Sequence, residues 1–312
     1  MRFLPTTFPP PRATLALVPL LFATLGASAV AQPVTVCMAE DNPPLSYAVK
    51  ADTRGLDVRL AQALAAELKR ELRIVPFESK LEGETTLSQE VNALLSSGVC
   101  DIASGFSLLA GDLGPPGRPT ARVPDHPGAK RRPLRPWVPL GTLVPSVAYH
   151  AMAMGLVVRD AERAGATLAE PGDARIGIIT GTLSGTAVSM FRGGTLRPQI
   201  VSLSRTENVL EQLEAKRFDA ALVALDRLDA WRIAHPDTTL RRTPYLHPFR
   251  INIGFVARND ATEVLAAANR VIERALGNGD LQRWATESGA TWVAPAAPQV
   301  GAPFALADLL RE

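Results

Sequence analysis

Few residues of this chain stand in patterns that reaction chemistry requires. Gly181-Thr182-Leu183-Ser184-Gly185 joins an apolar run to a helical pattern, yet it lacks the lysine and the spacing with which a phosphate-cradling loop works. Ser184 sits in Gly-x-x-Ser-Gly, not in the Gly-x-Ser-x-Gly of a nucleophile elbow. His126, His150, His235 and His247 show no i, i+4 pairing and no cysteine neighbours, so no metal site is indicated and no cofactor is expected. What remains is binding chemistry at strand ends. Ser104, Gly105, Phe106 and Ser107 follow one apolar strand and offer backbone and hydroxyl contacts, or form an ordinary strand-to-loop turn. Thr182 and Ser184 follow a second such strand, as ligand contacts or as helix caps. Tyr47 offers an aromatic face to a ligand or to packing at an edge, and Asp226 offers an acid, although exposed acids between helices are common.

The elements that must position these residues alternate between strand and helix. Val34–Ala39 reads as a buried strand ended by the proline-containing 40–44. A helix follows over 57–72 with Leu60, Leu64 and Leu68 on one face, then a strand over 74–77, a helix over 87–97 and a strand over 100–104. Such β-α-β order points to a mostly parallel sheet covered on both faces. Residues 113–139 are proline-rich and basic, and predict a surface loop without helix or ladder strand; its Lys130-Arg131-Arg132 run is a solvated loop or a docking patch for an acidic partner. The second half repeats the theme, with strands at 155–158, 175–179, 219–223 and 251–256. Ser204 to Glu207 has capping-box spacing for the helix carrying Leu210 and Leu213. A strongly amphipathic helix spans 261–276 with Gly277 suited to its C-cap, and a short helix carries Leu281 and Trp284. A helix, polar break, apolar residue, Asp and small apolar strand recur at 94–103 and 213–221, which suggests two related halves.

The N-terminus sets the compartment. Arg2 precedes an apolar stretch from Ala13 to Leu25, and Ala29-Val30-Ala31 gives the small-residue pattern of signal-peptide cleavage. The apolar core is shorter than a bilayer span needs, so residues 1–31 are expected to be a signal peptide and the mature chain periplasmic. About 280 mature residues exceed one ordinary core and favour two lobes. The net charge of +2 gives no field that argues for nucleic acid. Cys37 and Cys100 both lie in the exported part, where an oxidising compartment favours a disulfide; two buried free thiols are the alternative.

The ordered set Pro43-Pro44-Leu45-Ser46-Tyr47, Gly55-Leu56-Asp57-Val58, Gly98-Val99-Cys100-Asp101, Gly177 to Thr182 and Arg217-Phe218-Asp219-Ala220-Ala221 resembles bacterial extracellular solute-binding proteins of family 3, the amino-acid receptors of ABC importers. The resemblance implies an α/β, two-lobed fold of the type II periplasmic-binding class, each lobe a small mostly parallel sheet flanked by helices, with two strands as hinge. One lobe would comprise 32–151 plus 250–295 with the insertion 113–139, the other 152–249, followed by a tail at 296–312. A small-molecule ligand would sit between the lobes, with an inner-membrane ABC permease as partner of a monomer that performs no catalysis. The departures bear on the ligand. Asp112 stands where the family's carboxylate-gripping arginine would be, Ala224 where its amine-binding acid would be with only Asp226 as substitute, and Leu45 replaces an aromatic. An ordinary α-amino acid is therefore disfavoured and a cationic or neutral solute expected. A periplasmic dehydratase on this fold would need the missing cation. The cysteine placement also resembles solute-binding-like proteins associated with quinoprotein alcohol dehydrogenases, which implies a periplasmic dehydrogenase as the alternative partner.

Overall fold

The computed structural model describes Met1 and residues 32–310 apart from 51, 79–84, 132, 133, 161, 162 and 164. Residues 2–31 of the expected signal peptide, Arg132 and the last two residues of the tail lie outside the described residues. Residues 32–312 form one compact unit. In its first part, β1 (Val34–Ala39) leads into a small antiparallel sheet of β2 (Asp41–Asn42), β3 (Ser46–Val49) and β4 (Asp52–Arg54). Helix α1 (Leu56–Leu68), β5 (Leu72–Phe77), α2 (Leu87–Ser96) and β6 (Ile102–Ser107) follow. The short β7 (Thr120–Arg122), β8 (Trp137–Pro139) and β9 (Leu143–Pro145) precede the long β10 (His150–Val158). The second part holds β11 (Ile176–Ile179), α3 (Leu183–Met190), β12 (Ile200–Leu203), α4 (Val209–Glu214), β13 (Ala220–Ala224) and α5 (Leu225–Ala234). Strand β14 (Arg241–Arg258) returns to the first part, where α6 (Thr262–Gly277) and α7 (Asp280–Glu287) pack.

The main sheet has the order β12-β11-β13-β10-β14-β6-β1-β5, with β9 also paired to β14. Each half contains three parallel strands and one antiparallel strand: β5-β1-β6 beside β14, and β12-β11-β13 beside β10. The two antiparallel strands pair with each other at the centre and are the links between halves. Their register shifts between Ala153 and Gly155 and again before Val157, as a strongly twisted ribbon requires.

Local sequence accounts for most of these elements. Leu60 and Leu64 of α1 are fully buried, each worth roughly 1.5–3 kcal/mol of apolar burial. Gly55 precedes the helix at φ 126°, where a Cβ would lie 2.1 Å from the Leu45 carbonyl oxygen, so only glycine fits this turn. The helix stops earlier than its expected end at 72, because Lys69 turns left-handed at φ 53° and its N–H bonds back to Ala65 and Ala66. Helix α2 carries a capping box between Thr86 and Gln89. The expected box at Ser204 and Glu207 forms its backbone bond at 2.8 Å, but the cap of α4 is Asn208, whose side chain accepts from Leu210 N–H. Gly277 is the last residue of α6 and its cap is Asn278.

The proline-rich stretch corrects the expectation of a loop without strands. Thr120, Ala121 and Arg122 pair antiparallel with Pro139, Val138 and Trp137. The prolines flank or end this two-stranded ribbon, where the missing N–H costs no ladder bond. Ala121, Val123 and Val138 join the apolar cluster of β1, β5, β6 and α2. Cys37 and Cys100 are joined by a disulfide inside the same cluster, with Cα atoms 5.7 Å apart.

Candidate functional site

The carboxyl ends of the parallel strands in the two halves are built alike and furnished differently. In the first half, α1 begins against β6, and Asp57 in its first turn is fully buried. Tyr149, just before β10, donates its hydroxyl to Asp57 Oδ1 at 2.7 Å and accepts Gly105 N–H at 2.8 Å. Gly105 has φ 68°, and a Cβ there would lie 3.1 Å from Asp57 Oδ2 and 3.5 Å from Asn42 Nδ2. Burial pushes the Asp57 carboxyl up to about 7, partly offset by the Tyr149 hydroxyl and then by Ser104. Ser104 tempers the shift from its position alongside, although neither its Oγ nor Asp57 Oδ2 makes a hydrogen bond of ordinary geometry. Burial, and after it the same carboxylate, hold the Tyr149 phenol well above its usual value.

In the second half, Thr182 caps α3 by accepting Gly185 N–H at 3.1 Å and donating to the Ile179 carbonyl at 2.8 Å. Beside it opens a cavity of about 250 Å³. Its walls come from the ends of β11 and β13, the start of α3 and the central ribbon, with Met152, Met154, Ile178, Leu222, Phe249 and Ile251 supplying an apolar surface. Thr182, Ser184 and Arg227 are its polar members. Arg227 is exposed, in the first turn of α5. A second guanidinium lies near: a Cβ on Gly181 would be 2.7 Å from Arg205 Nη2.

The C-terminal segment crosses between the halves. The Asn252 amide donates to the Ala296, Pro298 and Gln299 carbonyls at 2.7, 3.1 and 3.0 Å. Gly301 bonds in both directions with the loop after β6, from its N–H to the Leu108 carbonyl at 2.8 Å and from Ala110 N–H to its own carbonyl at 2.9 Å. Farther on, Phe304 meets the Phe249 ring edge-on at 5.4 Å, and Leu309 is buried in the apolar cluster that contains Ala187 and Val188 of α3.

Of the residues singled out in the sequence, Thr182 and Ser184 line the cavity. Ser104 and Gly105 belong to the Asp57 cluster, Phe106 is a core side chain at 4% exposure, and Ser107 pairs with Ile253 in the sheet. Tyr47 lines a separate polar groove with Arg54 and Arg59. Asp226 accepts Arg227 N–H at 2.9 Å within its own helical turn and burial raises its carboxyl; it is not among the cavity's lining residues. Arg227, Phe249 and the two methionines escaped the sequence. The only available signal was the alternation Met152-Ala153-Met154, which marks one face of a strand.

No protein-family model and no curated protein sequence matches the chain. Solved structures do. The unliganded open L-cystine solute receptor of Neisseria gonorrhoeae is 16% identical over 84% of this chain and 94% of its own, with TM-score 0.57. The open second substrate-binding domain of Lactococcus lactis GlnP is 12% identical over 82% of this chain and 95% of its own, with TM-score 0.58. An ancestral cationic amino acid solute-binding protein is 18% identical over 82% and 94%, with TM-score 0.53. The chain therefore has the two-lobed type II periplasmic-binding fold, each lobe a small mostly parallel sheet flanked by helices, joined by β10 and β14. Among the described residues no helix is long and apolar enough to cross a membrane.

Proposed function

We propose that the chain is an exported solute receptor for an ABC importer, capturing a small molecule between its two lobes and handing it to a membrane permease. The observation that carries this is the cavity at the carboxyl ends of β11 and β13, walled by both connecting strands. That is the position at which open α/β sheets hold ligands, in a fold shared with receptors solved in open conformations. Hinge bending about β10 and β14 would bring the first lobe over the cavity, with ligand favouring the closed state through contacts to both lobes. No catalytic step is assigned. The lobe boundaries suggested by sequence, near 151 and 250, fall within or beside these two strands.

A thermal-shift screen against amino acids, polyamines, sugars and organic acids tests the proposal, with small-angle scattering on any hit. At least one solute is expected to raise the melting temperature by several degrees and to contract the particle. A flat response across all classes counts against a receptor.

A second role, docking to a periplasmic dehydrogenase or another protein, has one observation in its favour. On the proline-rich ribbon Trp137 is half exposed with Arg122 stacked over it at 4.9 Å, and Leu134 beside it is exposed. Aromatic and arginine side chains are enriched at protein interfaces. Co-purification of a dehydrogenase that is lost in Trp137→Ala, with no solute bound, would favour this role over import.

A further inference from the structure

The composition of the cavity names a class of solute, provided the receptor proposal above holds. An α-amino acid or a polyamine brings an ammonium group, which must meet a carboxylate or several acceptors when it leaves water. No carboxylate is among the cavity's described lining residues. Asp226, the acid nearest in sequence, turns back onto Arg227 N–H, and Asp57, in the equivalent position of the other half, is closed over by Tyr149. A sugar brings a hydroxyl on nearly every carbon, each needing a partner. Among the described lining residues Thr182 and Ser184 alone bear hydroxyls, and the Thr182 hydroxyl already bonds to Ile179 and Gly185.

What the cavity does offer is a broad apolar wall and a positively charged side chain in its lining. Met152 and Met154 present adaptable thioether side chains that suit varied apolar shapes. Phe249, Ile178, Leu222 and Ile251 complete the wall. Arg227 is the one charged side chain among the described lining residues, and the Arg205 guanidinium lies against Gly181 in the loop that leads into α3. A guanidinium pairs best with a carboxylate, through two parallel hydrogen bonds. At about 250 Å³, the space holds about eight water volumes, enough for a body the size of a leucine side chain or a single aromatic ring.

We propose that this cavity binds small organic anions with one carboxylate and an uncharged apolar body, branched aliphatic or aryl monocarboxylates, with Arg227 as the anion-binding residue. This differs from the cationic or neutral solute expected from the missing family arginine: the positive charge would come from the start of α5 instead of from the first lobe. Arg227 is exposed, so closure of the first lobe over it would strengthen the ion pair by excluding water.

The test is calorimetric titration of the purified protein with isovalerate and phenylacetate, set beside their amides, the corresponding amines, leucine, arginine and glucose. The acids are expected to bind, the amides about tenfold or more weakly, and the amines not at all. Arg227→Gln is expected to lower affinity for the acids about tenfold or more while leaving the amides unchanged. Arg227 being exposed, this variant should melt like the parent. Preference for an amine, arginine, leucine or glucose would overturn the assignment of ligand class and leave the receptor proposal standing. Acids that bind with equal affinity to parent and Arg227→Gln would overturn the role of Arg227. Silence from every solute, here and in the wider screen, would remove both proposals together.

Discussion

The starts of α1 and α3 occupy equivalent places, each following the middle strand of a parallel trio, yet one is sealed and the other open. In both, a residue with special backbone or capping chemistry, Gly55 or Thr182, is followed by leucine and then a polar side chain, Asp57 or Ser184. At α1, Tyr149, Ser104 and Gly105 close over the acid and spend their polarity inside the protein. At α3, the corresponding space is lined by methionine, isoleucine and phenylalanine and stays empty of side chains. The difference teaches that a shared scaffold fixes where a cavity can form, while the few side chains reaching in from the connecting strands decide which half keeps one.

The sealed side should respond most strongly to pH. The Asp57 carboxyl lies above its unfolded value, so its favourable contribution is complete below about pH 4 and is lost as pH rises to about 7. His150, adjacent to Tyr149, is held at about 4 by burial against an ordinary 6.5, so it acts in reverse, with stability lost as pH falls from 6.5 to about 4. The two oppose each other across one window, so their contributions to the parent largely cancel. Asp57→Asn is expected to expose the histidine slope, stability falling toward acid, and His150→Gln the aspartate slope, stability rising toward acid. Each swing is on the order of 2–3 kcal/mol, read from urea melts at pH 4.5 and 7.5. Parallel slopes in both variants would refute the account.

The open side depends on the C-terminal segment that reaches it. Leu309 is 2% exposed among Ala187, Val188 and their neighbours, so Leu309→Ala should cost roughly 2–3 kcal/mol. Because the segment is also bonded to Leu108 and Ala110, loss of its anchor should increase proteolysis near residue 301. A variant as stable and protease-resistant as the parent would show that the strap does not hold the halves. The smallest effect belongs to the cap at the cavity's edge: Thr182→Ala should cost about 1 kcal/mol, with Thr182→Ser restoring most of it. An unchanged denaturation midpoint in the alanine variant would mean that the cap bonds contribute nothing net.

Much of this architecture was legible in the chain. The apolar runs of β1, β11 and β13, the amphipathic periods of α1 and α6, and the pair Cys37 and Cys100 required only local pattern and compartment. Boundaries drifted where a residue departed from pattern, as at Lys69, and the ribbon within 113–139 was hidden because prolines at its ends look like prolines within it. The cavity's lining was half legible: Thr182 and Ser184 announced themselves by position, whereas Arg227, Phe249, Met152 and Met154 resemble ordinary helix and strand residues.

By itself, then, the sequence determined the alternation of elements, the caps and the small residues that turn strands into helices, since these depend on neighbours a few positions away. Tertiary structure alone decided which helix start would be closed. That choice rests on a hydrogen bond between Asp57 and Tyr149, 92 residues apart, and on a C-terminal strap reaching from Leu108 to α3. Contacts over such separations are set by how the sheet brings strands together, which no local pattern of residues records.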